Sequence, residues 1–100
     1  MATYILLGTF TDQGIHSIKD TTKRADSVRA MAKKLGVTVK EMYWTLGQYD
    51  VVAILDAPDE ATVTSLALSI GVLGNVRTQL LRAFTADEIG PILKRMLKRK

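Results

Sequence analysis

Two short runs, Tyr4-Ile-Leu-Leu7 and Val51-Val-Ala-Ile-Leu55, constrain the fold of this chain more than any other feature. Side chains on a strand point alternately to opposite faces, so a run that is apolar at every position is apolar on both faces. Both runs are short, β-rich and bounded by turn residues, and so they read as central strands covered above and below. Any sheet they share needs cover on two sides.

The neighbouring segments supply the rest of the order. Phe10-Thr-Asp-Gln-Gly14 carries turn residues, after which Ile15, Ile18, Thr22, Ala25, Val28, Ala32 and Leu35 recur at helical spacing up to Gly36. Asp20-Thr21-Thr22 suit a cap better than a helix interior, which predicts an early turn over 15–19 and a firmer helix from about Lys23. Val39 to Leu46 and Tyr49 to Asp56 are strand-like, and Gly47-Gln48 between them predicts a two-residue type II′ hairpin. Pro58 with Asp59 and Glu60 marks a helix start. Val63, Leu66, Ala67, Ile70 and Leu73 form its core face, while Leu68 and Val72 make a second stripe that one small sheet cannot cover. Asn75 to Phe84 is the last strand, with Arg77, Gln79 and Arg82 suited to an edge. Thr85-Ala-Asp-Glu88 is a capping box before Ile89, Ile92, Leu93, Met96 and Leu97; Pro91 kinks or restarts that helix.

The order β-α-β-β-α-β plus a C-terminal helix specifies an α+β, ferredoxin-like domain over residues 1–100: a four-stranded antiparallel sheet with helices on one face. The other face would leave Ile, Leu and Val side chains in water. Two such faces packed together bury roughly 400 to 600 Å² of apolar surface per subunit, on the order of 10 kcal/mol before association costs. An obligate homodimer is the expectation, with the surplus stripe at Leu68 and Val72 and the last helix available for higher association. The alternative is that the last helix folds back over a monomer's open face, although a helix about 10 Å wide covers only about half of it.

With 47% hydrophobic residues and no cysteine, the chain can build one core without disulfides, and a thiolate zinc site is excluded. No basic leader and no run of roughly 18 apolar residues is present, so a cytoplasmic protein without a membrane segment is expected. The net charge of +4 invites a nucleic-acid reading, but Lys94 to Lys100 hold five of the fourteen basic residues. Fourteen minus five leaves nine against all ten acids, a net of −1 for the body. No aromatic residues interleave the basic tail, so nucleic acid is not an expected partner.

Phe10-Thr-Asp-Gln-Gly-Ile15, Tyr43-Trp-Thr-Leu-Gly-Gln-Tyr-Asp50, Gly74-Asn-Val-Arg-Thr78 and Leu81-Arg-Ala-Phe84 closely resemble the GYD domain family, named for Gly47-x-Tyr49-Asp50. That resemblance implies a prokaryotic protein, the dimeric α/β-barrel variant of the ferredoxin-like fold, and no established activity. A weaker resemblance, to effector domains of Lrp/AsnC regulators, rests on Gly47-Gln-Tyr49-Asp50 and Gly74-Asn-Val76-Arg-Thr78. It implies small-metabolite binding between subunits. These residues contain no helix-turn-helix, so DNA regulation is not carried over.

Tyr49 and Asp50 admit two readings. In one, Asp50 accepts backbone N–H groups near the turn and Tyr49 packs across the strands. In the other, Tyr49, Asp50, Tyr43 or Trp44, and Arg77 line a pocket at a subunit boundary, with the carboxylate for an amine or hydroxyl and the arginine for a carboxylate. His16, the only histidine, completes the ligand-binding candidates as a proton shuttle or haem ligand by analogy of fold. No catalytic set, metal site or cofactor motif is legible. The expected function is small-molecule binding at or near a subunit interface of a homo-oligomer, with a cofactor-poor monooxygenase- or isomerase-like enzyme as the alternative.

Overall fold

The computed structural model describes residues 1–98, so Arg99 and Lys100 of the basic tail lie outside the described residues. Strand β1 (Ala2–Phe10) leads into a one-turn helix α1 (Asp12–His16), a 3-10 turn (Ile18–Asp20) and α2 (Thr21–Lys34). The hairpin strands β2 (Thr38–Trp44) and β3 (Val51–Ala57) follow, then α3 (Glu60–Val72), β4 (Val76–Ala83) and α4 (Ala86–Lys94). The sheet runs β2-β3-β1-β4 with every neighbouring pair antiparallel. The two doubly apolar runs are therefore the central strands of a ferredoxin-like α+β sheet.

Alternation along those strands sorts their side chains into two unlike faces. Tyr4 and Leu6 of β1 and Ala53, Leu55 and Ala57 of β3 are buried with Ala32 of α2 and Val63, Leu66 and Ile70 of α3. On the reverse face Ile5 stands opposite Ile54 and Leu7 opposite Val52. These four are only half-buried, and Tyr43 and Leu81 beside them are 51% and 40% exposed. Among the described residues, no helix packs across this face.

Several details differ from the sequence expectation. Helix α2 begins at Thr21 rather than near Lys23, because the 3-10 turn runs straight into it: the Thr21 N–H donates to the Ile18 carbonyl, and no side chain caps the helix. The hairpin is wider than a two-residue turn. The Thr45 N–H donates to the Asp50 carbonyl at 2.8 Å, with Gly47 between them at φ +107°. Asp50 turns its own N–H to the Gly8 carbonyl of β1, also at 2.8 Å, so it pairs sideways with β1 and the loop opens. Leu73, expected in the core, is 52% exposed because it is the residue after α3, where the chain turns away.

Helix α4 has the expected capping box: the Glu88 N–H donates to Thr85 Oγ1 at 3.2 Å and the Thr85 N–H to Glu88 Oε1 at 3.0 Å. It runs through Pro91 unbroken. It does not fold back over the sheet; Arg82 of β4 reaches Glu88 in its first turn at 3.3 Å, and Leu93, Met96 and Leu97 remain 56%, 68% and 95% exposed. The described chain measures 57 × 31 × 19 Å, far from spherical.

Candidate functional site

The motifs that carry the family resemblance meet at one end of the sheet, where they fasten the backbone. Asp50 Oδ2 accepts the Phe10 N–H at 2.8 Å and so ties the β2-β3 loop to the end of β1. Thr11 donates its N–H to the Asn75 carbonyl at 3.1 Å and its hydroxyl to the Gly74 carbonyl at 2.6 Å. The same hydroxyl oxygen accepts the Gly14 N–H at 3.1 Å and caps α1. Gln13 adds bonds to the Leu73 carbonyl and to Asn75 Oδ1, at 3.1 and 3.0 Å. Gly14 must be glycine here, since a Cβ would sit 2.0 Å from the Asn75 carbonyl oxygen.

The six residues singled out in the sequence do not converge. Tyr43 and Tyr49 stand on the bare face of the sheet, where the Tyr49 hydroxyl reaches across β1 to Gln79 Oε1 of β4 at 3.2 Å. The Tyr43 hydroxyl donates to Glu41 Oε2 at 3.1 Å; that bond, and then the carboxylate's charge, raise the phenol's pKa above its ordinary value. Arg77 is exposed on the edge strand β4, two residues before Gln79 and so on the same face. Asp50 is committed to the backbone clamp. Trp44, next to Tyr43 on the strand, points to the helix side and donates its Nε1–H to Thr21 Oγ1 at 3.0 Å. His16 is exposed at the end of α1, apart from the other five.

Trp44 borders a feature that sequence reading did not find: an apolar cavity of about 60 Å³ between α2 and the sheet, walled by residues including Phe10, Arg24, Val28, Ala53 and Val76. Arg24 was not among the candidates, although its spacing of four from Val28 puts it on the core-facing side of α2. Among the described residues no group of three or more His, Asp or Glu side chains comes together as a metal site. No helix in them is long and apolar enough to cross a membrane. The arrangement offers binding surfaces: a bare sheet face bearing two tyrosines, a small apolar cavity, and uncovered stripes on α3 and α4.

Fold and surface together define a ferredoxin-like module with one self-covered and one uncovered sheet face. The chain belongs to the GYD domain family, whose description matches residues 4–93. It is similar to the "Glutamine synthetase and cystathionine beta-lyase binding protein" of Thermus thermophilus, 34% identical over 95 residues that cover 94% of this chain and 100% of that protein.

Proposed function

We propose that this chain is a homodimeric protein-binding module that docks onto metabolic enzymes. One observation carries the reading: apolar surface is left bare in separate places, and a second copy can use up only part of it. The face bearing Ile5, Leu7, Val52 and Ile54 is self-complementary by size and polarity and closes on its twin in a dimer of the α/β-barrel type. That leaves Leu68 and Val72 on α3, 67% and 85% exposed, and the stripe of α4 for a different protein. The relative's printed name, a protein that binds two enzymes, supports the same reading.

The test is direct binding of the purified chain to the glutamine synthetase and the cystathionine β-lyase of its own organism, measured by biolayer interferometry. Saturable binding to either, weakened by Leu68→Asp, is the expected result. Loss of neither enzyme on that substitution, or no binding to either, contradicts it. A second reading, small-molecule binding at the dimer boundary, is favoured by the placement of Tyr43, Tyr49 and Arg77 on the bare face, where a second sheet would enclose them. Thermal shift with a metabolite panel, on wild type and Tyr49→Phe, reads that out.

A further inference from the structure

We infer that α4 of one copy lies in the groove between α3 and β4 of a copy from another dimer, so that dimers join by exchanging their C-terminal helices. The inference rests on the sheet-face dimer of the reading above, and it names what covers the stripes of α3 and α4 when no enzyme does. The groove is open to solvent and about 600 Å³ in volume, ten times the cavity beneath α2 and equal to roughly twenty waters at about 30 Å³ each. Val76 and Leu80 of the edge strand and Ala67, Leu68 and Val72 of α3 give it apolar walls. Gly71 also lines it, and a Cβ there would meet nothing within 4 Å. A second helix can therefore come close to α3 at this point.

The segment of the chain that fits is α4. Ile89, Ile92 and Leu93 recur at spacings of three and four, and the Met96 N–H, bonded to the Leu93 carbonyl at 3.2 Å, carries Met96 onto the same side. Charge fixes its direction. Helix α3 begins with Asp59 and Glu60, and Arg77 lines the groove at the other end, where residues 73–75 turn the chain into β4. Helix α4 begins with Asp87 and Glu88 and ends with Lys94 and Arg95. Laid antiparallel to α3, it sets acids beside Arg77 and bases beside Glu60; laid parallel, it sets acid against acid.

A chain's own α4 cannot take that orientation. Strand β4 runs back along α3, so α4 leaves it beside the start of α3, after only Phe84 and Thr85. Arg82 holds this exit: its guanidinium lies 4.3 Å from the centroid of the Phe84 ring, and its Nη2 reaches Glu88 Oε2 at 3.3 Å. The partner in the sheet-face dimer is out of reach as well. Its groove lies beyond a sheet spacing of about 10 Å and a helix layer of about 10 Å, whereas two extended residues span about 7 Å. A copy from another dimer remains.

One helix in one groove buries less than a standard interface, so the exchange forms at higher concentration than the sheet-face dimer, and sedimentation of the full chain from about 1 µM to about 1 mM reads it. The wild-type mass should rise from two chains toward four or more. Leu93→Asp, on the stripe, should move that rise at least about tenfold higher in concentration. Gly71→Gln, which fills the groove where a single chain has room for a side chain, should do the same with an unchanged circular dichroism spectrum. Glu60→Lys and Arg95→Glu should each weaken the step and together restore it. A wild type of two chains at every concentration, a rise undiminished in Leu93→Asp or Gly71→Gln, or a double charge variant weaker than either single one would overturn the inference. A wild type of one chain at the lowest concentration, with a rise still lost in Leu93→Asp and Gly71→Gln, would remove the sheet-face dimer alone and leave the exchange standing.

Discussion

The two faces of the central strands are both apolar and meet different fates. On one face Tyr4, Leu6, Ala53 and Leu55 are each at most 6% exposed beneath α2 and α3. On the other, one residue further along the same strands, Ile5, Leu7, Val52 and Ile54 shield only one another. Strand composition alone therefore does not decide burial; it states a demand, which the chain's own helices meet on one side and leave open on the other.

That contrast can be broken first on the covered face. Leu55→Ala should cost about 3 kcal/mol of unfolding free energy in urea, the cost of a cavity in a closed core, without changing the particle's mass. If Leu55→Ala shifted the association equilibrium as much as a reverse-face substitution, the two faces would not be distinct. Asp50→Ala, at the end of the sheet common to both faces, should cost about 2 kcal/mol by orphaning the Phe10 N–H, with β1 and the β2-β3 loop losing amide-exchange protection first.

The smallest effect is in acid and touches neither face. Asp59 accepts from Thr62 at the start of α3, and Glu88 chiefly from the Thr85 backbone N–H at the start of α4; both carboxyls are held below their usual range. Their contribution is present above the unfolded-state values of about 4 and is lost as pH falls through the lower folded-state values. A small loss of far-UV helical signal below about pH 4, with the α4 share absent from Glu88→Gln, is expected.

The fold was legible because its determinants are local. Doubly apolar runs, Gly36 closing α2 and Thr85-x-x-Glu88 opening α4 each state their element within a few residues. The width of the hairpin was not legible, since it depends on Asp50 bonding to Gly8 and Phe10, forty or more positions away along the chain. The same kind of separation hid the apolar cavity. Tyr43 and Trp44 are adjacent in sequence and so face opposite ways, while Arg24 and Trp44, twenty positions apart, share a cavity wall. Aromatic and acidic residues clustered in sequence around Gly47 spread out in space.

The most direct measurement is the mass of the particle by sedimentation equilibrium at micromolar concentration, for wild type and Ile54→Lys. Wild type should sediment at twice the chain mass of 11.0 kDa, and Ile54→Lys, a charge set in the middle of the bare face, should dissociate at least about a hundredfold more readily. A wild-type particle of one chain mass, stable and unaggregated, would contradict the pairing of the uncovered faces.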